Sequence, residues 1–160
     1  MKQKLVAFFS ASGVTRLAAG KLAEAANADL YEIRPDVPYS ESDLNWIDQK
    51  TRATVEQNNA NTRPALADQN APIANHDVIY LGFPIWWYIA PRIIQTFLES
   101  YDFSDKTVVL FATSGGSGFG KTVDVLKQSA SPTTRFIEGK LLNGGPSVAD
   151  LIQWVNSLKL

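Results

Sequence analysis

Hydrophobic and polar positions alternate in blocks along this chain. Nearly continuous apolar runs at Lys4–Phe9, Val78–Phe83 and Thr107–Thr113 have the length and composition of parallel strands covered on both faces. Leu30–Arg34 and Arg135–Glu138 are two further strand candidates. Helical spacing follows. Thr15–Ala26 is rich in Ala and Leu, and after Pro91 the residues Ile93, Ile94, Phe97 and Leu98 form an apolar stripe. Pro91 suits a first helical position. Lys121–Gln128 is a third helix candidate. Ser147 opens a Ser-x-x-Asp capping pattern ending at Asp150, and Val148, Leu151, Ile152, Val155 and Leu158 then recur at helical spacing. Five strands alternating with helices predict an α/β domain built on a doubly wound parallel sheet.

Between Pro35 and Asn75 the alternation is interrupted by a long polar excursion. Ser42–Glu56 carries a weak helical pattern with Leu44, Ile47 and Val55 on one side, and the Asn-rich stretch from Gln57 to Thr62 reads as loop. No repeat or linker appears, so the excursion is expected to elaborate the second crossover of a single domain spanning residues 1–160.

Composition narrows the classes. The chain has 160 residues, 45% of them hydrophobic, enough for one packed core. A formal net charge of −1 gives no cue for nucleic acid or another polyanion. With no cysteine, disulfides, thiolate metal sites and a cysteine nucleophile are excluded. No apolar stretch has the length of a membrane span, and the residues after Lys2 and Lys4 lack a signal-peptide layout, so the expected compartment is the cytoplasm. The single histidine, His76, precedes the third strand and reads as a surface or loop residue without a catalytic role.

The candidate chemistry sits in three loops at the C-terminal ends of strands one, three and four, the edge where open parallel sheets bind ligands. The first is Ser10-Ala11-Ser12-Gly13-Val14-Thr15, between a strand and a helix. Free N–H groups and the positive end of a helix dipole meet there, and three hydroxyls join them, which suits a phosphate; an ordinary capped turn reads the same way. The second is Pro84-Ile85-Trp86-Trp87-Tyr88. Three consecutive large aromatics at a strand end cannot all enter one core, so they form either a stacking wall for a planar ring or core packing with exposed remainder. The third runs from Thr113 and Ser114 through Gly115, Gly116 and Gly118 to Phe119. Its glycines let backbone approach a ligand, with Phe119 as a further apolar contact, or they simply form a flexible helix entry.

Gly115–Thr122 also reads Gly-Gly-Ser-Gly-Phe-Gly-Lys-Thr, a match to the phosphate-binding P-loop pattern. Too little chain follows for that fold, and Arg135–Glu138 offers no apolar run ending in a magnesium-binding Asp. A P-loop nucleotide-binding protein is the remote alternative.

Taken together, Ser10–Thr15, Gly82–Pro91 and Phe111–Gly118 make the chain resemble the flavodoxin family along nearly its whole length. The resemblance implies strand order 2-1-3-4-5 and a noncovalent FMN. The phosphate would lie on residues 10–15, and the isoalloxazine between residues 84–88 and 113–119. Ser12 and Val14 stand where many flavodoxins have Thr and Asn. The hydroxyl is kept and a side-chain amide is lost. Arg16 is either a further charge for the phosphate or an ordinary helix-surface residue. The resemblance also implies electron transfer through the flavin to redox partner proteins. The alternative is an FMN-dependent NAD(P)H oxidoreductase acting on a quinone-like small acceptor, with the excursion, including Trp46 and Arg63, as one wall of a substrate pocket. The near-neutral charge lacks the acidity that steers many carriers to their partners.

Overall fold

Residues 3–114 and 116–160 are described by the structure, a computed structural model. Five strands, β1 (Lys4–Phe8), β2 (Asp29–Glu32), β3 (Val78–Pro84), β4 (Thr107–Thr113) and β5 (Arg135–Leu141), form one parallel sheet in the order β2-β1-β3-β4-β5. The helices are α1 (Val14–Ala26), α2 (Arg52–Gln57), α3 (Arg92–Ser100), α4 (Thr122–Lys127) and α5 (Val148–Ser157). This is the expected doubly wound sheet with the expected order.

Alternation along the strands divides the core in two. Leu5, Ala7, Ile79, Leu81, Val108 and Leu110 pack under α3 and α4, against Ile93, Ile94, Phe97, Leu98 and Leu126. Val6, Phe8, Val78, Tyr80, Val109 and Phe111 pack under α1 and α5, against Ala19, Leu22, Leu151 and Val155. Both faces of the central strands are therefore buried, which is why their sequences are continuously apolar. Gly82 is required by close approach: a Cβ there would stand 2.1 Å from the Phe111 ring on the neighbouring strand.

Most bounds fall within a residue of the sequence expectation; β2, β5 and the 42–56 segment differ more, β2 covering Asp29–Glu32 rather than Leu30–Arg34. β5 runs to Leu141 rather than Glu138, because a register shift between Val109 and Phe111 absorbs Gly139 and pairing resumes at Lys140. The proposed helix over 42–56 is absent. A short 3-10 turn covers Ser42–Leu44 and α2 occupies only Arg52–Gln57. Between them Asn45 and Asp48 accept hydrogen bonds from Ile47 N–H and Lys50 N–H, the local turn bonds with which such side chains compete against a helix. Ile47 and Val55 are exposed rather than sharing a core-facing side.

The excursion packs on the same sheet. Its base is an antiparallel return in which Asp36 N–H bonds Ala65 O and Ala67 N–H bonds Arg34 O. Pro91 caps α3 from just outside rather than occupying its first turn. Ser147 and Asp150 form the expected capping box on α5. Among the described residues no helix is long and apolar enough to cross a membrane.

Candidate functional site

The three loops leave the sheet side by side. Thr113 pairs with Pro84 at the ends of β4 and β3, and Ile85 N–H continues the ladder to Thr113 O at 2.9 Å. Phe9 N–H still bonds Gly82 O at 3.0 Å, so the first loop begins beside β3, where the strand order reverses.

In the first loop Gly13 adopts φ 95° as the N-cap of α1, a conformation that favours glycine. Ser10 Oγ accepts hydrogen bonds from Gly13 N–H (3.0 Å) and Arg16 N–H (3.2 Å), so this hydroxyl shapes the loop from within. The N–H groups of Ser12, Val14 and Thr15 have no partner among the described residues. A Cβ built at Gly13 would meet nothing within 4 Å, so the loop is open at that position. Thr15 is buried, and its hydroxyl shares a 2.8 Å hydrogen bond with that of Thr113, fastening α1 to the end of β4. Arg16 is paired with Glu32 on the helix surface. Three N–H donors at the positive end of a thirteen-residue helix fit an anionic phosphate without an obligatory cation.

The second loop is a tight turn. Trp86 N–H bonds Ile89 O at 3.0 Å, Ile89 N–H bonds Trp86 O at 3.3 Å, and the two central residues, Trp87 and Tyr88, both have positive φ, 51° and 66°. Turns of this hand normally carry Asn-Gly or Gly residues. Two bulky aromatics held there store backbone strain, a feature that collects at functional sites. Trp86 is half-buried and lies edge-on to Phe9 and Tyr39, with centroids 5.8 and 5.4 Å away. Trp87 and Tyr88 project outward, 42% and 64% exposed. The three aromatics thus divide as one packed and two presented. Pro84 ends β3, and Ile85 is buried beneath the turn.

Ser114 organises the third loop. Its hydroxyl donates to Ser117 O (2.7 Å) and accepts from Gly116 N–H and from Asn143 Nδ2, while its N–H donates to Asn143 Oδ1 at 2.8 Å. Gly116 has φ 133°, and Gly118 is exposed. Gly115 lies outside the described residues. Phe119 is buried against Phe83, so its ring supports the loop from the core. A Cβ on Gly120 would stand 2.4 Å from Tyr88 O, so the second and third loops touch here.

The P-loop alternative fails on geometry as well as context. Thr122, whose hydroxyl would ligate the nucleotide's metal, is fully buried and donates to Phe119 O at 2.6 Å, and the helix it opens has six residues.

The excursion supplies residues that the sequence reading did not single out. Gln57 Nε2 donates to Trp86 O (2.9 Å) and Ala90 O (3.3 Å), clamping both ends of the aromatic turn. Buried Arg92 in turn bonds Gln57 O (2.8 Å) and Glu56 O (3.4 Å), capping α2. Burial lowers the Arg92 pKa, and nearby Arg63 adds to this. Tyr39 donates to Glu56; burial first and that bond second push its hydroxyl well above the ordinary tyrosine value. None of these positions carries a motif signal, because each acts through a partner distant in sequence. Asn143, just beyond β5, was the most legible, as an Asn before Gly-Gly at a strand end. Arg63 pairs with Glu99 instead of facing the turn, whereas Trp46 does stand beside it. His76 is a loop residue as expected but not a surface one. It is 4% exposed and bonds Asp29 Oδ2 and Pro72 O, at the opposite edge of the sheet.

Comparison with known proteins agrees with this geometry. No curated protein matches the chain. Among solved structures, a protein assigned as a flavoprotein from Bacteroides eggerthii is 42% identical, with 100% of this chain and 99% of that one covered at a TM-score of 0.93. Another so assigned, from Bacteroides uniformis, is 44% identical, with 97% and 98% covered at 0.90. A flavoprotein in complex with FMN from Lactobacillus acidophilus shares the fold at 22% identity, with 96% and 99% covered at 0.66. The family model described as flavodoxin matches residues 3–158, and the chain belongs to that family.

Proposed function

We propose that the protein binds FMN noncovalently at this edge and transfers electrons through it. The observation that carries the reading is the meeting, at the strand-order reversal, of three N–H groups unpartnered among the described residues with a strained aromatic turn. The fold shared with the FMN-bound Lactobacillus acidophilus flavoprotein supports it. FMN, when bound, supplies the redox chemistry. The chain supplies the rest. The N–H groups of Ser12, Val14 and Thr15 hold the phosphate, with the Ser12 hydroxyl beside them. Trp87 and Tyr88 cover the ring, an apolar surrounding that disfavours the electron-rich reduced anion. Backbone at Ser114, Gly116 and Gly118 would line the ring edge, with Ser114 bonded to Ser117 O, Gly116 N–H and Asn143. No side chain is required as nucleophile or general acid.

Titration of the purified protein with FMN and with riboflavin tests this. Each hydrogen bond to a charged group contributes about 1.5–3 kcal/mol, so losing the phosphate should weaken binding by about a hundredfold or more. A protein that takes up neither flavin overturns the proposal. Equal affinity for both overturns the phosphate assignment. Reduction of bound FMN by NADH or NADPH without a reductase would move the assignment from carrier to oxidoreductase.

A further inference from the structure

We propose that the hollow on the β2 side of the first loop receives the ribose and base of a nucleoside phosphate joined to the flavin's own phosphate, so that the protein binds FAD as well as FMN. The hollow measures about 400 Å³, in the range of small-molecule sites. Ser10 and Ala11 form one wall. Glu32, the last residue of β2, and Arg34 beyond it form the next, and Asp36 and Tyr39 of the excursion close the far side. No described residue of the aromatic or Gly-rich loop lines it.

Its chemistry selects the ligand. Arg16 is paired with Glu32 and Arg34 with Asp68, yet the two arginine side chains stay 55% and 60% exposed. One Glu32 oxygen holds Arg16, and the other accepts no hydrogen bond among the described residues. Asp36 is exposed and has no ion-pair partner among them. A simple anion entering the hollow would meet Glu32 and Asp36, and a simple cation would meet Arg16 and Arg34. A phosphorylated sugar suits both kinds of group: its phosphate oxygens accept from guanidinium N–H groups, and its hydroxyls donate to carboxylates. Pro35, Pro38 and Tyr39 supply apolar surface for a flat base.

The hollow also has the right place in the sheet. Where doubly wound folds bind dinucleotides, the pyrophosphate lies on the first strand-to-helix loop, and a carboxylate about 20 residues further on accepts from a ribose hydroxyl. Glu32 holds that place relative to Gly13, on the strand that flanks β1 on the side away from β3. A ring on the β3–β4 side therefore leaves the β2 side free for what the phosphate carries. The walls are fixed by the backbone. Ile33 N–H bonds Phe8 O at 2.6 Å, and Asp36 N–H bonds Ala65 O and Ala67 N–H bonds Arg34 O, both at 2.8 Å. Asp68, which holds Arg34, also accepts from Tyr31. The inference rests on the FMN reading for the place of the phosphate, not for the hollow itself.

Calorimetric titration of the purified protein with FMN and with FAD tests the site. FAD should bind at least as tightly as FMN. Asp36→Ala, at an exposed residue with no ion pair to lose, should weaken FAD about tenfold or more, the loss of a hydrogen bond to a charged group, and leave FMN unchanged. Glu32→Gln keeps the side chain's shape and should lower FAD affinity relative to FMN. An FAD tail left in solvent would be indifferent to both changes. FAD bound more weakly than FMN, or an FAD-to-FMN affinity ratio unaltered in both variants, overturns the proposal. If the protein takes up no FMN, the FMN reading fails by itself, and AMP titrated into the parent and the Asp36→Ala protein decides the hollow. AMP that binds the parent and is weakened in the variant upholds the nucleotide site; AMP that binds neither, or both alike, overturns it.

Discussion

Tyr88 offers a way to separate backbone strain from ring contact at the aromatic turn. It has φ 66°, and its side chain is 64% exposed, so truncation removes little buried surface. Holding an L-residue in the left-handed region costs about 1–2 kcal/mol. Glycine relieves that cost, but its greater freedom in the unfolded chain takes back about 0.5–1 kcal/mol. Tyr88→Gly should therefore stabilise the flavin-free protein by about 0.5–1 kcal/mol, raising Tm by about 1–4 °C for a chain of this size. Tyr88→Ala keeps the strain and removes the same ring, so it should gain nothing. Both variants should bind FMN about two- to tenfold more weakly, because an aromatic stacking contact contributes about 0.5–1.5 kcal/mol. Thermal melts of flavin-free protein and FMN titrations check the two halves independently. Equal melting points for the Gly and Ala variants would refute the strain argument. Unchanged FMN affinity in both would remove Tyr88 from the ring site.

Other perturbations probe the support of the site. Gln57→Leu leaves Trp86 O and Ala90 O without their donor and should cost about 1–3 kcal/mol in denaturant melts, with weakened FMN binding; normal stability would show that the clamp is dispensable. Gly82→Ala drives a Cβ into the Phe111 ring and should cost about 1–3 kcal/mol by overpacking, read as an earlier urea midpoint with an unchanged slope. Asp68 accepts a hydrogen bond from Tyr31, which, ahead of its other bonds, holds the carboxyl below its usual range. Its contribution is full above the unfolded value, about 4, and is lost as pH falls through the lower folded one. Asp68→Asn should therefore destabilise near neutrality, and the gap to the parent should close on acidification; a gap that widens in acid would contradict the linkage.

What could be read from the sequence was what repeats locally. β1, β3 and β4 are buried on both faces, so their apolar runs are unbroken and their bounds came out within a residue or identical. β5 is an edge strand with a bulge at Gly139, and a period-two pattern is lost there. The first loop was legible because a strand, a turn and a helix cap are consecutive in sequence. The surroundings of the aromatic turn were only half legible. Trp46 stands out as an aromatic in a polar stretch, but Gln57 and Arg92 look like ordinary helix residues until α2 and α3 are brought together. The failed 42–56 helix has the same origin. Apolar spacing in an exposed segment carries no burial, and Asn45 and Asp48 then decide the backbone.

The two phosphate-binding candidates show why a motif is a statement about where polar groups point. Gly115–Thr122 satisfies the stricter pattern, yet Thr122 spends its hydroxyl on Phe119 O inside the core, and Lys121 merely precedes a six-residue helix. Ser10–Thr15 satisfies no strict pattern, yet among the described residues it leaves three N–H groups without a partner at the start of a thirteen-residue helix. A Gly-rich loop bound to its own hydroxyls can line a ring edge, because that needs backbone shape. It cannot cradle a phosphate, because that needs unspent donors. On the proposed FMN reading the anion therefore falls to the first loop and the ring to the Gly-rich one. The cost of the arrangement is concentrated at Trp87 and Tyr88, whose positive φ persists because Gln57 and Ile89 hold the turn from either side.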